Sequence, residues 1–490
     1  MRWTLSIKLS IPAWVRPGLI LAVVTLGASA SPATAQSEYH WSDQFGNRST
    51  LLNGTVIAGV TDMGAVFYNP GRLVQLERPG YLLTAEAFEF NRVKLEGGLE
   101  DNLELDQANL RGVPNLVAGV FTIPSHPGHR FAYSLLTRRR SETDLLLTTE
   151  HHVDLFPQLQ GTETYLGTWE SLSEITETWV GLTWSHIVSP RVAVGVTTFG
   201  TYVGRQRRIE RGVGVVPDDD DPASLVEFRE YRFDSYGLLW KAGLAVDLSP
   251  IRLGLSLTTP QLNPFGKGSI RYEELLAPPE ATGTEPEFDP EVTVFREEDL
   301  PIKARTPFAI GAGVTWEGRR GSVHLSGEWY ASISQYEIMG VDSVQSQTSG
   351  EVREYHVIDE LSSVFNYGIG AEWRLTNSLF AYGSVAHDAS AAPEEVFEPF
   401  RFEDKISNSH FQSNNRHIGS GLTYEASWID LTVGFSFGTS TQEVPNPLKS
   451  TDPIPDPPVE AERLELKQRR WRFLVGISIP FVIEEGRTSG

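Results

Sequence analysis

The sequence predicts an all-β chain, a transmembrane antiparallel β-barrel of about fourteen strands with a small, partly helical N-terminal hatch inside its lumen. Three observations predict it. Segments of period-two alternation recur from Pro79 onward; their connections are alternately very short and very long; and tryptophans gather on the alternating segments or beside the short turns.

The chain begins with the pattern of an export signal, expected over residues 1–35. Arg2, Lys8 and Arg16 supply positive charge, residues 19–26 form a short apolar core, and Ala33-Thr34-Ala35 fits the small-x-small cleavage rule. That core is short of the roughly 20 apolar residues a spanning helix needs, and no later stretch is longer and apolar throughout. Any membrane crossing must therefore be made by strands.

Residues 36–78 are read as the hatch. Within them, residues 58–73 carry small residues, apolar clusters and a central Asn69-Pro70-Gly71 break instead of alternation. Pro70 lacks a backbone donor and restrains Asn69 to extended geometry. Asn69 can bond exposed backbone groups, while Gly64 and Gly71 permit close approach to a wall. Phe67, Asn69, Pro70 and Gly71 are the candidate hatch residues. A static plug is the simpler alternative to a gate.

Residues 79–483 are read as the barrel, followed by a tail at 484–490. In the segment 238–247, Leu238, Trp240, Ala242, Leu244 and Val246 share one face, and Leu239, Lys241, Gly243, Ala245 and Asp247 the other. In 252–258, three leucines oppose Arg252, Gly254, Ser256 and Thr258. In the last segment, Trp471, Phe473, Val475, Ile477, Ile479 and Phe481 oppose Arg470, Arg472, Gly476 and Ser478. A soluble sandwich would turn its apolar face to a core, whereas an outer-membrane barrel turns it to lipid. The segments read as strands are 79–95, 114–123, 129–150, 162–187, 191–211, 226–248, 251–273, 302–317, 321–339, 352–375, 378–396, 404–425, 428–444 and 461–483.

Short links at Ser189-Pro190, Ser249-Pro250, 318–321, Thr376-Asn377 and 426–428 alternate with long ones at 96–113, 150–161, 212–225, 274–301, 340–351 and 445–460. That rhythm decides for the barrel, whose periplasmic turns are short and external loops long. Trp179, Trp184, Trp240, Trp316, Trp329, Trp373, Trp428 and Trp471 read as interfacial girdles. By parity, Lys241, Asp247, Arg252, Glu328, Glu372 and Arg374 face the lumen, where they could anchor the hatch, line a polar path, or form a structural ion-pair network.

Composition narrows the function. The net charge of −22, from 41 Lys+Arg and 63 Asp+Glu, argues against a nucleic-acid partner. The absence of Cys excludes disulfides and thiolate metal sites. A mean hydropathy of −0.21 is too polar for a helical membrane protein and suits a barrel. His151, His152 and Asp154 lack a second spaced pair and read as a solvated loop start. Asp218-Asp219-Asp220-Asp221 lacks the glycine turn and terminal Glu of a calcium loop. No nucleophile elbow is present. No catalytic residue, metal or cofactor is assigned.

The stretch Thr61-Asp-Met-Gly-Ala-Val-Phe-Tyr-Asn-Pro-Gly-Arg-Leu73 resembles the hatch of the FadL-type family, outer-membrane transporters of long-chain fatty acids and other hydrophobic compounds. Asn69 and Pro70 match the family's Asn-Pro-Ala hallmark, and Gly71 replaces its Ala. Segments 236–244 with 251–257, 367–373 and 416–424 are similar to family strands. The resemblance implies a fourteen-stranded barrel closed by a hatch. It further implies capture of apolar ligand by external loops and exit through a sideways opening in the wall. The expectation is a passive, hatch-gated, monomeric channel of the bacterial outer membrane, surrounded by its lipid and taking hydrophobic small molecules such as long-chain fatty acids. The alternative is a non-transporting barrel that acts as scaffold or shuttle for secreted partners.

Overall fold

The computed structural model describes residues 39–96, 103–109, 113–121, 123, 128–153, 162–216, 222–277, 290–393, 405–408, 413–445 and 463–481. The expected export signal, the tail at 484–490, Asp154 and the acidic tip at 218–221 lie outside them.

Among the described residues, fourteen antiparallel wall strands form one closed sheet. In chain order these are β1 (Gly80–Glu96), β2 (Leu103–Asn109) continued by β3 (Val113–Phe121), β4 (His129–Val153), β5 (Glu163–Ser189), β6 (Val192–Val216) and β7 (Ala223–Leu248). Next come β8 (Ile251–Thr258) continued by β9 (Leu262–Ala277), β10 (Glu291–Pro301) continued by β11 (Ala309–Glu317), and β12 (Gly321–Tyr330). A second, three-stranded sheet holds β13 (Ile333–Gln345), β14 (Val352–Leu361) and β17 (Lys405–Ser407). The wall is completed by β15 (Val364–Arg374), β16 (Leu379–Asp388), β18 (Asn415–Glu425), β19 (Asp430–Pro445) and β20 (Arg463–Pro480). β20 pairs with β1 from Gly80↔Pro480 to Glu96↔Glu465, which closes the ring and leaves no sheet edge there.

The period-two pattern maps onto this ring as alternating burial. Along β7, Leu239, Lys241, Gly243 and Ala245 are buried, while Leu238 and Ala242 are exposed. Leu182, 65 % exposed, Val180, Leu135, Phe473 and Val475 belong to a broad apolar outer surface. A soluble monomer rarely exposes a contiguous apolar patch beyond a few hundred Å². A lipid-facing band requires one.

Several sequence-based boundaries change. Trp179, read as a girdle residue, points inward and is 6 % exposed, packed on Phe199 with ring centroids 5.0 Å apart. The segments 321–339, 352–375 and 404–425 are each part wall and part second sheet. Past Tyr330 the chain leaves the wall, and β13–β14 folds into the mouth, where Ile338, Met339 and Tyr355 pack with Tyr231, Phe233 and Tyr272 of the inner wall. Alternation describes a hairpin buried in the mouth as well as a wall strand, so the pattern carried no sign of the bend. Residues 274–301 and 96–113, read as loops, contain β10 and β2, and the loop read over 340–351 contains the end of β13. The carboxylates on β10 find cations locally: Arg296 meets Glu298 at 2.5 Å, and Lys267 meets Asp299 at 2.6 Å. His151 and His152 lie in β4, not in a loop.

Proline breaks the ladder at two places. Below the first break, β3 pairs with β4 only from Leu116↔Leu136 to Phe121↔Phe131. Pro114, lacking an N–H, precedes that run. Above it, β2 pairs with β1 and the upper half of β4 pairs with β5, and among the described residues no pairing joins β2 to β4. The link at the top of the seam is Thr137 Oγ1 donating to Pro114 O at 3.0 Å. The second break separates β8 from β9 and β10 from β11.

Candidate functional site

The hatch occupies the lumen as two single-turn helices, Arg48–Leu51 and Ala65–Tyr68, and a 3-10 helix, Pro70–Gln75. Asn69 holds the turn between the last two. Extended at φ −156°, ψ 94°, it caps the 3-10 helix through Oδ1, which accepts from Gly71 N at 3.1 Å, with Pro70 at the first position, where its missing donor costs nothing. Its Nδ2 donates to Ile57 O at 2.8 Å within the hatch and to Leu244 O at 3.0 Å in the wall. One side chain therefore ties two hatch segments to β7.

The wall receives this turn with glycines. Gly195 of β6 faces Gly243 of β7 in register. A Cβ on Gly243 would stand 2.8 Å from both Gly71 N and Pro70 Cδ, and one on Gly195 would stand 2.9 Å from Gly71 N. A Cβ on Gly71 itself would lie 2.9 Å from Gly243 O and 3.0 Å from Ala193 O. The replacement of the family's Ala by Gly thus sits where the hatch backbone lies tight against the wall.

Phe67 lies in an aromatic cluster with Phe45 (4.6 Å between centroids), Tyr68 (5.2 Å) and Trp179 (6.0 Å). Lys241 Nζ sits 4.4 Å from the Phe67 centroid and 3.3 Å from Glu328 Oε1. Glu328 Oε2 also accepts from Trp41 Nε1 at 3.0 Å and Tyr330 Oη at 2.6 Å. Asp247 meets Arg72 at 2.6 Å and accepts from Gln75 Nε2 at 2.9 Å. Arg252 lies 3.6 Å from Asp247 and 2.6 Å from Glu317. Glu372 and Arg374 stand apart from these pairs. Both line a polar space of about 430 Å³ between the hatch and the short turns, and Arg374 covers the Phe380 ring at 5.5 Å.

Sequence reasoning missed three groups. Asp388 accepts from His40 N (3.2 Å), Ser42 Oγ (2.9 Å) and Asn366 Nδ2 (2.7 Å); parity along β16 would have placed it inward. Arg138 donates to His40 O at 2.9 Å from a bulge between Thr137 and Arg139, and a bulge inverts parity. The facing of Gly195 by Gly243 is a register between strands, which a single strand does not reveal.

On the long-loop side of the hatch, a cavity of about 120 Å³ lies between His40, Arg138, Trp179 and Tyr330 and the inward hairpin at Tyr336 and Ile338. Among the described residues, no three His, Asp or Glu side chains converge as metal ligands.

His40 is stacked on Tyr330 at 3.8 Å, and its pKa is lowered to about 4, first by burial and then by the neighbouring Arg138. Asp388 and Glu328 oppose the shift without cancelling it. The docked imidazole is neutral, so below 6.5 the released form binds a proton that the docked form does not. Docking is at full strength above pH 6.5 and weakens as pH falls toward 4, by at most about 3 kcal/mol. The protection of amides across residues 39–47, measured as exchange relative to the intrinsic rate at each pH, should fall between pH 7.5 and 4.5, and His40→Asn should flatten that dependence.

No protein-family model matches the sequence, and no curated protein matches it. Solved structures match the fold. The Pseudomonas putida toluene transporter TodX aligns over 90 % of this chain and 99 % of its own at TM-score 0.55 and 12 % identity. A Pseudomonas aeruginosa FadL homologue aligns over 91 % and 100 % at TM-score 0.54 and 10 % identity. The CymD monoaromatic hydrocarbon channel aligns over 91 % and 99 % at TM-score 0.51 and 11 % identity. With its closed fourteen-strand wall and lumenal hatch, the chain has the fold of the FadL-type barrels.

Proposed function

We propose that the protein is a passive channel of the bacterial outer membrane for small hydrophobic molecules, with the hatch as its gate. The observation that supports this most directly is the cavity of about 120 Å³ between hatch and mouth hairpin, partly walled by Trp179, Tyr330 and Ile338. An apolar cavity of about 150 Å³ accommodates benzene, whereas drug-sized ligands occupy about 300–1,000 Å³. The closed state therefore suits a single aromatic ring. A long-chain fatty acid would require the hatch to move or the cavity to widen.

Two proteins of similar fold, a toluene transporter and a monoaromatic hydrocarbon channel, agree with the smaller ligand. In this reading the long loops collect ligand and the cavity holds it. It then leaves sideways at the seam between β2 and β4, beside Arg138 and Arg139, which line the cavity. The Lys241–Glu328 and Arg72–Asp247 pairs hold the hatch shut, and Arg252, Glu372 and Arg374 line the polar space beneath it.

The test is uptake by cells with an intact outer membrane, with and without the protein, of labelled toluene and labelled oleate. Toluene uptake should rise several-fold and oleate less. Equal uptake of both ligands with and without the protein would refute the reading.

A further inference from the structure

The second wall break lies five strands further round the barrel than the seam between β2 and β4. The ladder between β8 and β11 stops at Thr258↔Ala309, and that between β9 and β10 starts at Lys267↔Pro301. Residues 259–266 and 302–308 face each other across the gap without a rung, and Pro260 and Pro307 lack the donors to make one.

Hydrogen bonds from Gln261 and Asn263 bridge the gap instead, two crossing it and one bracing Gln261 against Asn263 on the same edge. Gln261 N donates to Thr306 Oγ1 at 2.8 Å, Gln261 Nε2 donates to Asn263 Oδ1, and Asn263 Nδ2 donates to Ala304 O. The Gln261 amide lies over Gly237 of β7, where any Cβ would collide with it. Its Oε1 is buried and accepts no hydrogen bond among the described residues.

The gap has an apolar outside and a cavity inside. Leu262 is 59 % and Phe265 72 % exposed on the outer surface, flanked by Leu257 and Tyr236. Thr258, Gln261, Ala304, Thr306 and Pro307 line the cavity between hatch and mouth hairpin. Irregular backbone at membrane depth is tolerated where it is buried in protein or lines a cavity, because unpaired peptide groups facing hydrocarbon are too costly.

We propose that this gap is a second membrane-facing portal, latched by Gln261 and Asn263, through which neutral ring-sized hydrocarbons pass between lipid and the cavity. It rests on the preceding reading only for the class of ligand. Two portals on one cavity make the cavity an exchange chamber between lipid and lumen, fed from the bilayer as well as from the loops. A latch of a few amides can open without unpairing any strand, since no ladder crosses it.

The chain has no Cys, so engineered thiols report without background. Gln261 N and Thr306 Oγ1 are already in hydrogen-bond contact, so a Gln261→Cys, Thr306→Cys pair is close to disulfide spacing. In nanodiscs, entry of bromobenzene is followed as quenching of Trp179, taken as the difference from Trp179→Phe. Oxidising the pair should slow entry several-fold relative to the reduced pair, and the reduced pair, which lacks the Gln261 amide, should admit the probe at the wild-type rate or faster. Gly237→Val, which pushes the Gln261 amide from its seat, should speed entry. Entry at the wild-type rate in the oxidised pair, or no quenching of Trp179 at all, overturns the proposal. A Pro114→Cys, Thr137→Cys pair measures the share of the other seam. Cell uptake that fails while Trp179 quenching and its dependence on the Gln261–Thr306 lock persist would sink the channel reading and leave the portal standing.

Discussion

Gly243→Val is expected to drive the hatch from its seat. The first added carbon would stand 2.8 Å from Gly71 N and from Pro70 Cδ, and Asn69 Oδ1 lies in its path as well. None of these is the far end of a flexible chain. Asn69 is fixed by three hydrogen bonds, and Pro70 by its ring. Overpacking of this kind costs about 1–3 kcal/mol, and displacing Asn69 adds about 1 kcal/mol for each hydrogen bond lost. Overpacking in the middle of that range with even one of these bonds lost totals about 3 kcal/mol, a shift on the order of 100-fold or more toward the released hatch. Amide exchange across residues 65–75 and protease cleavage within them should rise accordingly. Gly383→Ala, on the wall with nothing within 4 Å of its Cβ, should change neither. Unaltered exchange in Gly243→Val would show that the hatch is held elsewhere.

Lys241→Met should have an effect of similar size for an electrostatic reason. Lys241 and Glu328 are both buried, and the ammonium is the cation in contact with this carboxylate, whose other partners, Trp41 and Tyr330, are neutral donors. Removing one member of a buried pair typically costs about 3–5 kcal/mol, because the survivor is left as an uncompensated charge. The double change Lys241→Met, Glu328→Gln removes both charges and keeps an acceptor for the Trp41 and Tyr330 donors. It should recover most of the loss, as read by thermal unfolding and by exchange across residues 39–47. Additive losses in the double variant would mean that the two side chains act independently.

Much of the wall was legible in the sequence because one side of each strand meets lipid. Lipid tolerates only apolar side chains, so the alternation at Leu238–Asp247 and Trp471–Phe481 sorts inside from outside with few exceptions. The tally of alternating segments supplied the count, and the loop rhythm decided for a barrel. The mouth was less legible: β13 and β14 alternate as wall strands do, and only the packing of Met339 and Tyr355 on Tyr231 and Tyr272 shows that they fold inward. Of the lumen residues, the parity of Lys241 and Glu328 could be read, but their mutual contact could not, because it depends on strands 87 positions apart in sequence. The cavity was illegible for the same reason. It is made by a bulge at Arg138 and a proline break at 259–266 and 302–308, which interrupt the periodicity, and by a hairpin whose inward bend the periodicity does not record.

The paired glycines that seat the hatch bear on how the barrel comes to exist. Neighbouring strands normally hold each other through cross-strand side-chain pairs. Gly195 opposite Gly243, and Gly254 opposite Gly313, have no side chains to pair. At this level the backbone of residues 57–71 supplies the missing contacts, which makes the hatch a filling for a wall that is thin where it is touched. Wall and hatch are therefore expected to unfold as one cooperative unit. A chain stripped of residues 57–71 is expected to be a weaker barrel, with a lower unfolding temperature.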